Sequence, residues 1–391
     1  MKNLGVAISV STVRGLGFSS IWMFSALYLR NILGLNFLED GIIITGGTAF
    51  AAILQRYIGS LSDRIGHRIT VQLSMFVSTI LYLIMVISSD VRSSQLYFSI
   101  VFISLTISNS AQAPGIYAIV SGSSEIKTKG FSMLRIGNNA GWGIGPAIGG
   151  FAIYYSGFYY LFLFGFLCSL VAFIVSFLLK NVKAESGVEN LPLRTENRFL
   201  IYLSIVALLL FIVQAQETVT LSSYVHIIRG LNYFQLGLIY MVNGIAVIAT
   251  QGIVYKAIRR IGNYNSFIIG SVIYTLGFFS FAFFSTLYGL IAATIILTIG
   301  EDFAFPSSSA MVSLISKPEN IGKNMGIFNA FLSIGRAFGP IIGAIALTVT
   351  SDPVGIWFIA TVWGFASAVM FFFVFRNVSA IQENREKINS I

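Results

Sequence analysis

The sequence predicts an all-α membrane protein of twelve transmembrane helices arranged as two pseudo-symmetric six-helix bundles. Of its 391 residues, 56% are apolar and only 10% are charged, whereas a water-soluble domain carries about 25% charged residues to wet its surface. Twelve runs are long and apolar enough to cross about 30 Å of hydrocarbon, which takes about 20 residues. The two halves of the chain also repeat one another's landmarks. Lipid is therefore the solvent over most of the length, which excludes a cytosolic enzyme, a secreted domain, a disordered scaffold and a nucleic-acid-binding module. One cysteine, Cys168, and two histidines, His67 and His226, permit no internal disulfide and no metal cluster. Nothing in the sequence asks for a cofactor.

In chain order the runs lie near 5–32, 38–61, 68–89, 95–122, 130–155, 157–180, 199–225, 233–257, 264–286, 288–314, 323–348 and 353–376. The first is longer than a signal-peptide core and has no small-residue cleavage pattern behind it, so it stays as an anchor. An even number of spans puts both termini on one side. Seventeen Lys and Arg, from Lys2 to Lys387, fall in the loops and ends of that side, against Arg30, Arg92 and Arg229 on the other. The excess places the termini in the cytoplasm, and it explains the net charge of +9 without nucleic acid. Residues 1–180 form the first bundle, the polar stretch 181–198 a cytoplasmic linker, 199–376 the second bundle and 377–391 a loose polar tail.

The repeat has an offset of about 194 residues. Ala113-Pro114-Gly115 and the later Gly141, Gly145, Pro146, Gly149 and Gly150 are matched by Phe305-Pro306-Ser307 and Gly335, Gly339, Pro340 and Gly343. Asp63-Arg64-Ile65-Gly66 is matched weakly by Arg259-Arg260-Ile261-Gly262. Duplicated six-helix halves suit a transporter that rocks two bodies around a site near the bilayer midplane. The glycine rows recur every four residues and make a smooth ridge, which simple close packing of helices already accounts for. Gly143-x-Gly145 follows no strand and is not a nucleotide site, and no phosphate loop with Gly-Lys-Ser/Thr occurs.

The segment after the second span reads Gly59-Ser-Leu61-Ser-Asp63-Arg64-Ile65-Gly66-His67-Arg68. It closely resembles the signature loop of the major facilitator superfamily, and the twelve spans, linker and half-repeat extend the resemblance over the whole chain. Span five, with Gly141, Gly145, Pro146, Gly149 and Gly150, looks like an element of the drug:proton antiporter branch. Span four departs from that branch: where an Arg followed by Gln and Gly is usual, Ile107, Ser108 and Asn109 precede Gln112. The resemblance implies that spans one, four, seven and ten line a central cavity, with help from two, five, eight and eleven. Physically, Gly59 and Gly66 allow a tight turn and a close helix approach, Asp63 can face a helix N-terminus, and Arg64 and Arg68 can pair with acids or lipid phosphates. Such a loop can act as a gating latch, or serve only to fix topology.

An ionisable group inside a span costs about 2.5–3.5 kcal/mol on insertion scales, so each calls for a partner, a cavity or a function. Arg14, Arg56, Arg135, Glu217, Glu301, Asp302 and Arg336 fall in or beside spans one, two, five, seven, ten and eleven. Glu217, Glu301 and Asp302 are the candidates for proton coupling, because moving a carboxyl between dry and wet surroundings changes its protonation. Residues 301 and 302 point about 100° apart, so one faces a cavity and the other bonds a neighbouring helix. A structural ion pair with Arg14 or Arg336 is the competing role for each acid, and Arg14 can also snorkel to the cytoplasmic surface. Arg135, Asn138, Asn139 and Trp142 share a helical stripe, as do Asn329, Ser333 and Arg336. The expected substrate contacts are Arg14, Trp22, Asn109, Gln112, Asn138, Asn139, Trp142, Asn329 and Arg336.

The sequence thus points to a secondary transporter that moves a small organic solute by alternating access. Proton-coupled export of a drug-like or amphipathic compound is the first reading, and uptake of an organic anion or other metabolite the second. A non-transporting receptor or scaffold is the rival class. The expected partners are the solute, protons and membrane lipid, with no nucleic acid, and the protein is expected to work as a monomer in the plasma membrane.

Overall fold

The computed structural model describes residues 2–89, 94–124, 127–182, 198–316 and 320–389. Those residues are almost wholly helical: α1 (Lys2–Trp22), α2 (Ser25–Asn31), α3 (Phe37–Ile65), α4 (His67–Ser88), α5 (Gln95–Ala111), α6 (Ala113–Ser123), α7 (Lys127–Ser156), α8 (Phe158–Ser176), α9 (Arg198–Gln214), α10 (Thr220–Ser223), α11 (Tyr233–Ser280), α12 (Leu287–Leu314), α13 (Ile321–Val349) and α14 (Pro353–Asn389). Ten stretches are long and apolar enough to cross a membrane. One of them, Tyr233–Phe283, holds 51 residues and turns at Gly262 (φ 79°), so it supplies two passes. The 30-residue α7 is too rich in Gly and Asn to rank among the ten by hydropathy, although its length suffices. The expected twelve passes are consistent with this arrangement. Large apolar side chains such as Ile248, Ile253 and Phe283 stand well exposed, as lipid-facing residues should.

Glycines in the left-handed region make the sharp turns between consecutive passes, where a side chain would clash with its own backbone. Gly34 (φ 75°) and Gly66 (φ 101°) stand after the first and second passes, and Gly230 (φ 71°) and Gly262 (φ 79°) after the seventh and eighth. The repeat extends to the caps. Asn36 accepts from the Glu39 backbone N–H while Glu39 accepts from that of Asn36, and Asn232 and Gln235 exchange the same pair of hydrogen bonds. Gly34-Leu-Asn36-Phe-Leu-Glu39 and Gly230-Leu-Asn232-Tyr-Phe-Gln235 are one turn-and-cap motif used twice.

The described residues fall into two compact units, those within 1–189 and 217–244, and those within 190–216 and 245–391. In the first unit α1 packs on α6, α7 and α8, with α4 against α8 and α3 against α5. In the second, α9 packs on α13 and α14. Most of the linker, residues 183–197, lies outside the described residues, as does the Arg56 side chain. The tail expected to be loose beyond residue 377 is instead a helical continuation of α14 to Asn389. Gln, Glu, Lys and Arg there are good helix formers, and neither Gly nor Pro interrupts them.

Candidate functional site

Three spans are interrupted near their middles. The first breaks at Met23 and Phe24, between α1 and α2; the fourth breaks at Gln112, between α5 and α6. The seventh passes from α9 through a 3-10 turn, Ala215–Glu217, into the short α10 and then a π turn, Tyr224–Ile228. A break in lipid frees backbone polar groups that must be satisfied by protein or water, so broken spans mark places where polar chemistry is housed. Trp22, Gln112 and Glu217, each singled out by sequence, sit at these three breaks. The tenth pass, α12, stays continuous but carries Pro306.

In the first unit, α1 turns one face toward α5 and α7. Ser11, Arg14, Phe18 and Trp22 lie along it at three- and four-residue steps. The Ser11 hydroxyl donates to Asn138 Oδ1 at 2.7 Å. Arg14 Nη1 donates to the Asn109 backbone oxygen at 3.2 Å and also to the Asn109 side-chain oxygen. Further along, Trp22 stacks between Phe18 (5.4 Å) and Phe102 (5.9 Å), and Trp142 meets Phe18 edge-on at 6.1 Å. The face is therefore polar at one end and aromatic at the other. Asn109 and Gln112 are almost fully buried. Arg14 does not snorkel: it is held inside the helices, and it reaches span four where that span lacks its own basic residue.

The glycine ridge of α7 packs as its spacing requires. A methyl group on Gly141 would lie 2.7 Å from the Thr12 carbonyl oxygen, and one on Gly149 2.8 Å from that of Ser20; at Gly145 it would collide with the Ser19 hydroxyl. Gly143 and Gly150 face the other way, toward Gly244 and Gly237 of α11, and the Pro146 carbonyl also lies against Gly237. In the second unit Gly335 and Gly339 meet α9 in the same manner, at the Leu208 and Ile212 carbonyls. Pro340 follows Gly339, whose carbonyl accepts from Gln216 Nε2 at 3.1 Å.

The second unit holds the remaining candidates. Asp302 is buried, and its Oδ2 accepts from the Thr250 hydroxyl of α11 at 2.5 Å. Glu301 is half-buried. Arg336 Nε donates to Gln214 Oε1 at 3.1 Å, and its guanidinium lies 4.6 Å from the Phe211 ring centre. In the first unit the Glu217 carbonyl, in the broken turn, accepts from the Tyr240 hydroxyl at 2.6 Å.

The polar stripe expected on α7 is split. Asn138 and Trp142 pack on α1, whereas Arg135 and Asn139 are exposed and hydrogen-bond to nothing among the described residues; Asn329 is exposed too. In the signature loop, Arg68 Nη2 donates to the Phe177 carbonyl at the end of α8 at 3.1 Å, and Ser62 pairs with His67 Nδ1 at 3.0 Å. Asp63 and Arg64 are exposed and make no hydrogen bond or ion pair among the described residues. Gly59 has open space around its Cα, so it is not a close-approach glycine.

Sequence reasoning missed Asp40. It is fully buried in the first turn of α3, and neither carboxylate oxygen has a hydrogen-bond partner among the described residues. Arg30, stacked on Phe37 at 3.4 Å, is an opposing charge that acts on it. The signal was present in the repeat, because the matching position after the second cap is the equally buried Leu236.

Comparison with known proteins places these features in a family. The profile of the Major Facilitator Superfamily matches residues 7–300 and 257–389. The chain is 24% identical over 353 residues to YttB of Bacillus subtilis, an uncharacterized MFS-type transporter, covering 88% of this chain and 86% of the relative. It is 23% identical over 363 residues to the multidrug resistance protein MdtG of Salmonella arizonae, covering 88% of each. Among solved structures, that of the nucleoside transporter NupG superposes with a TM-score of 0.76 at 16% identity, over 95% of this chain and 98% of that one. That likeness concerns the fold alone.

Proposed function

The chain belongs to the major facilitator superfamily, a multi-pass membrane transporter family and not an enzyme family, and on that premise we propose that it exports a small amphipathic compound in exchange for protons. The observation that carries this reading is the coincidence of the broken spans with Trp22, Gln112 and Glu217, beside a face of α1 that is polar at Arg14 and aromatic at Trp22. An amphipathic solute needs both kinds of surface, and broken helices let backbone groups join in binding. Glu217, Glu301 and Asp302 are the proposed proton carriers, and Asp63 with Arg64 and Arg68 the proposed cytoplasmic latch. The likeness to a multidrug resistance protein supports export. On the loop charge bias we place both termini in the cytoplasm, and we propose that the protein works as a monomer in the plasma membrane.

Purified protein in proteoliposomes tests this. An imposed pH gradient should drive an amphipathic dye uphill, and reversing the gradient should reverse the flux. Uphill movement in the same direction as the protons favours uptake, the second reading, for which the basic Arg14 speaks. No protein-dependent flux under either gradient defeats both.

A further inference from the structure

Arg14 pairs with no carboxylate among the described residues; its printed hydrogen bonds go to Asn109. The hydroxyls of Tyr82 and Tyr117 are its ionisable neighbours. A guanidinium kept inside a span without a counter-ion is too costly to be structural filler. Nη1 is committed to Asn109. Among the described residues Nε is buried with no hydrogen-bond partner, and Nη2 makes no hydrogen bond. Nε and Nη2 share one edge of the planar fork, the edge that takes a carboxylate side-on with two parallel hydrogen bonds. Asn109 holds the opposite corner and so fixes the plane. Asn109 Nδ2 is buried beside the Tyr82 hydroxyl.

Phe18 and Trp22 follow Arg14 on the same face of α1, one and two turns on, and Trp142 stands against Phe18. We infer that the transported compound is an organic acid: its carboxylate takes the Nε–Nη2 edge of Arg14, and its aromatic or aliphatic body lies along Phe18, Trp22 and Trp142. The inference rests on the transporter reading and narrows it to lipophilic anions, excluding cations, which an uncompensated Arg14 repels.

Three probes of one shape decide it: naphthalene carboxylate, its neutral carboxamide, and naphthylmethylammonium. Binding to purified protein is read from tryptophan fluorescence and calorimetry, and transport from proteoliposome flux. The wild type should bind the carboxylate at least tenfold more tightly than the other two. Arg14→Gln should abolish that preference, and Arg14→Lys should keep part of it, since charge remains but the fork is lost. Should Arg14→Gln fail to fold, Asn109→Asp, nearly isosteric, supplies a counter-ion in place and should also abolish the preference. Equal or tighter binding of the amide or the cation overturns the inference. Arg14-dependent binding of the carboxylate without any flux leaves this site standing and defeats the export reading, whereas flux of the cation alone does the reverse.

Discussion

Gly143 and Gly244 bring α7 and α11 into backbone contact: a methyl group on Gly244 would lie 2.7 Å from the Gly143 Cα. Gly237 repeats the contact one step along, against the Pro146 carbonyl and Gly150. Overpacking such a seam costs about 1–3 kcal/mol. Gly244→Val should therefore lower both thermal stability and flux. Gly252→Ala on the same helix, where nothing lies within 4 Å, should lower neither, since Ala is the better helix former. Thermal melts of the two variants in one detergent make the comparison, and equal losses would remove the seam's importance.

The two turn-and-cap motifs should be energetically alike. Asn36→Ala and Asn232→Ala each remove a side-chain acceptor from a helix N-terminus, a loss of about 1 kcal/mol. Each should lower the melting temperature by a similar amount, and the double variant by their sum, because the sites are independent.

Asp40 is the position at which the repeat carries Leu236. A buried carboxyl with both oxygens unpartnered is a stability cost of about 1–3 kcal/mol. Asp40→Leu should therefore raise the melting temperature. A fall would mean that the attraction to Arg30 outweighs the loss of hydration.

Asp63 is exposed and unpaired among the described residues, so removing its charge should leave folding untouched. Asp63→Asn should insert and melt like the wild type, yet transport more slowly if the latch reading holds. Unchanged flux in proteoliposomes would reduce the loop to a topological signal.

Much of this was legible in the sequence, for physical reasons. Span number follows from hydrophobic length, and the glycine ridge of α7 follows from four-residue spacing, because both are local properties. The break at Gln112 was announced by Pro114. The breaks at Phe24 and Ala215 were not, since neither Gly nor Pro marks them and tertiary packing sets them. The Arg14 to Asn109 contact joins residues 95 apart, and no periodicity on one helix points to a partner on another. The split of the α7 stripe was hidden for a related reason, because Asn138 and Asn139 are neighbours that a broad stripe cannot resolve. Asp40 escaped because it lies close to a span end, where a carboxylate is normally hydrated.

The central claim is that the in-span carboxyls couple protons to solute, and the variant Glu217→Gln, Glu301→Gln, Asp302→Asn tests it most directly. In proteoliposomes it should still exchange solute down its own gradient, while losing all accumulation driven by a pH gradient. If that variant accumulates solute against its gradient as the wild type does, the coupling mechanism is wrong.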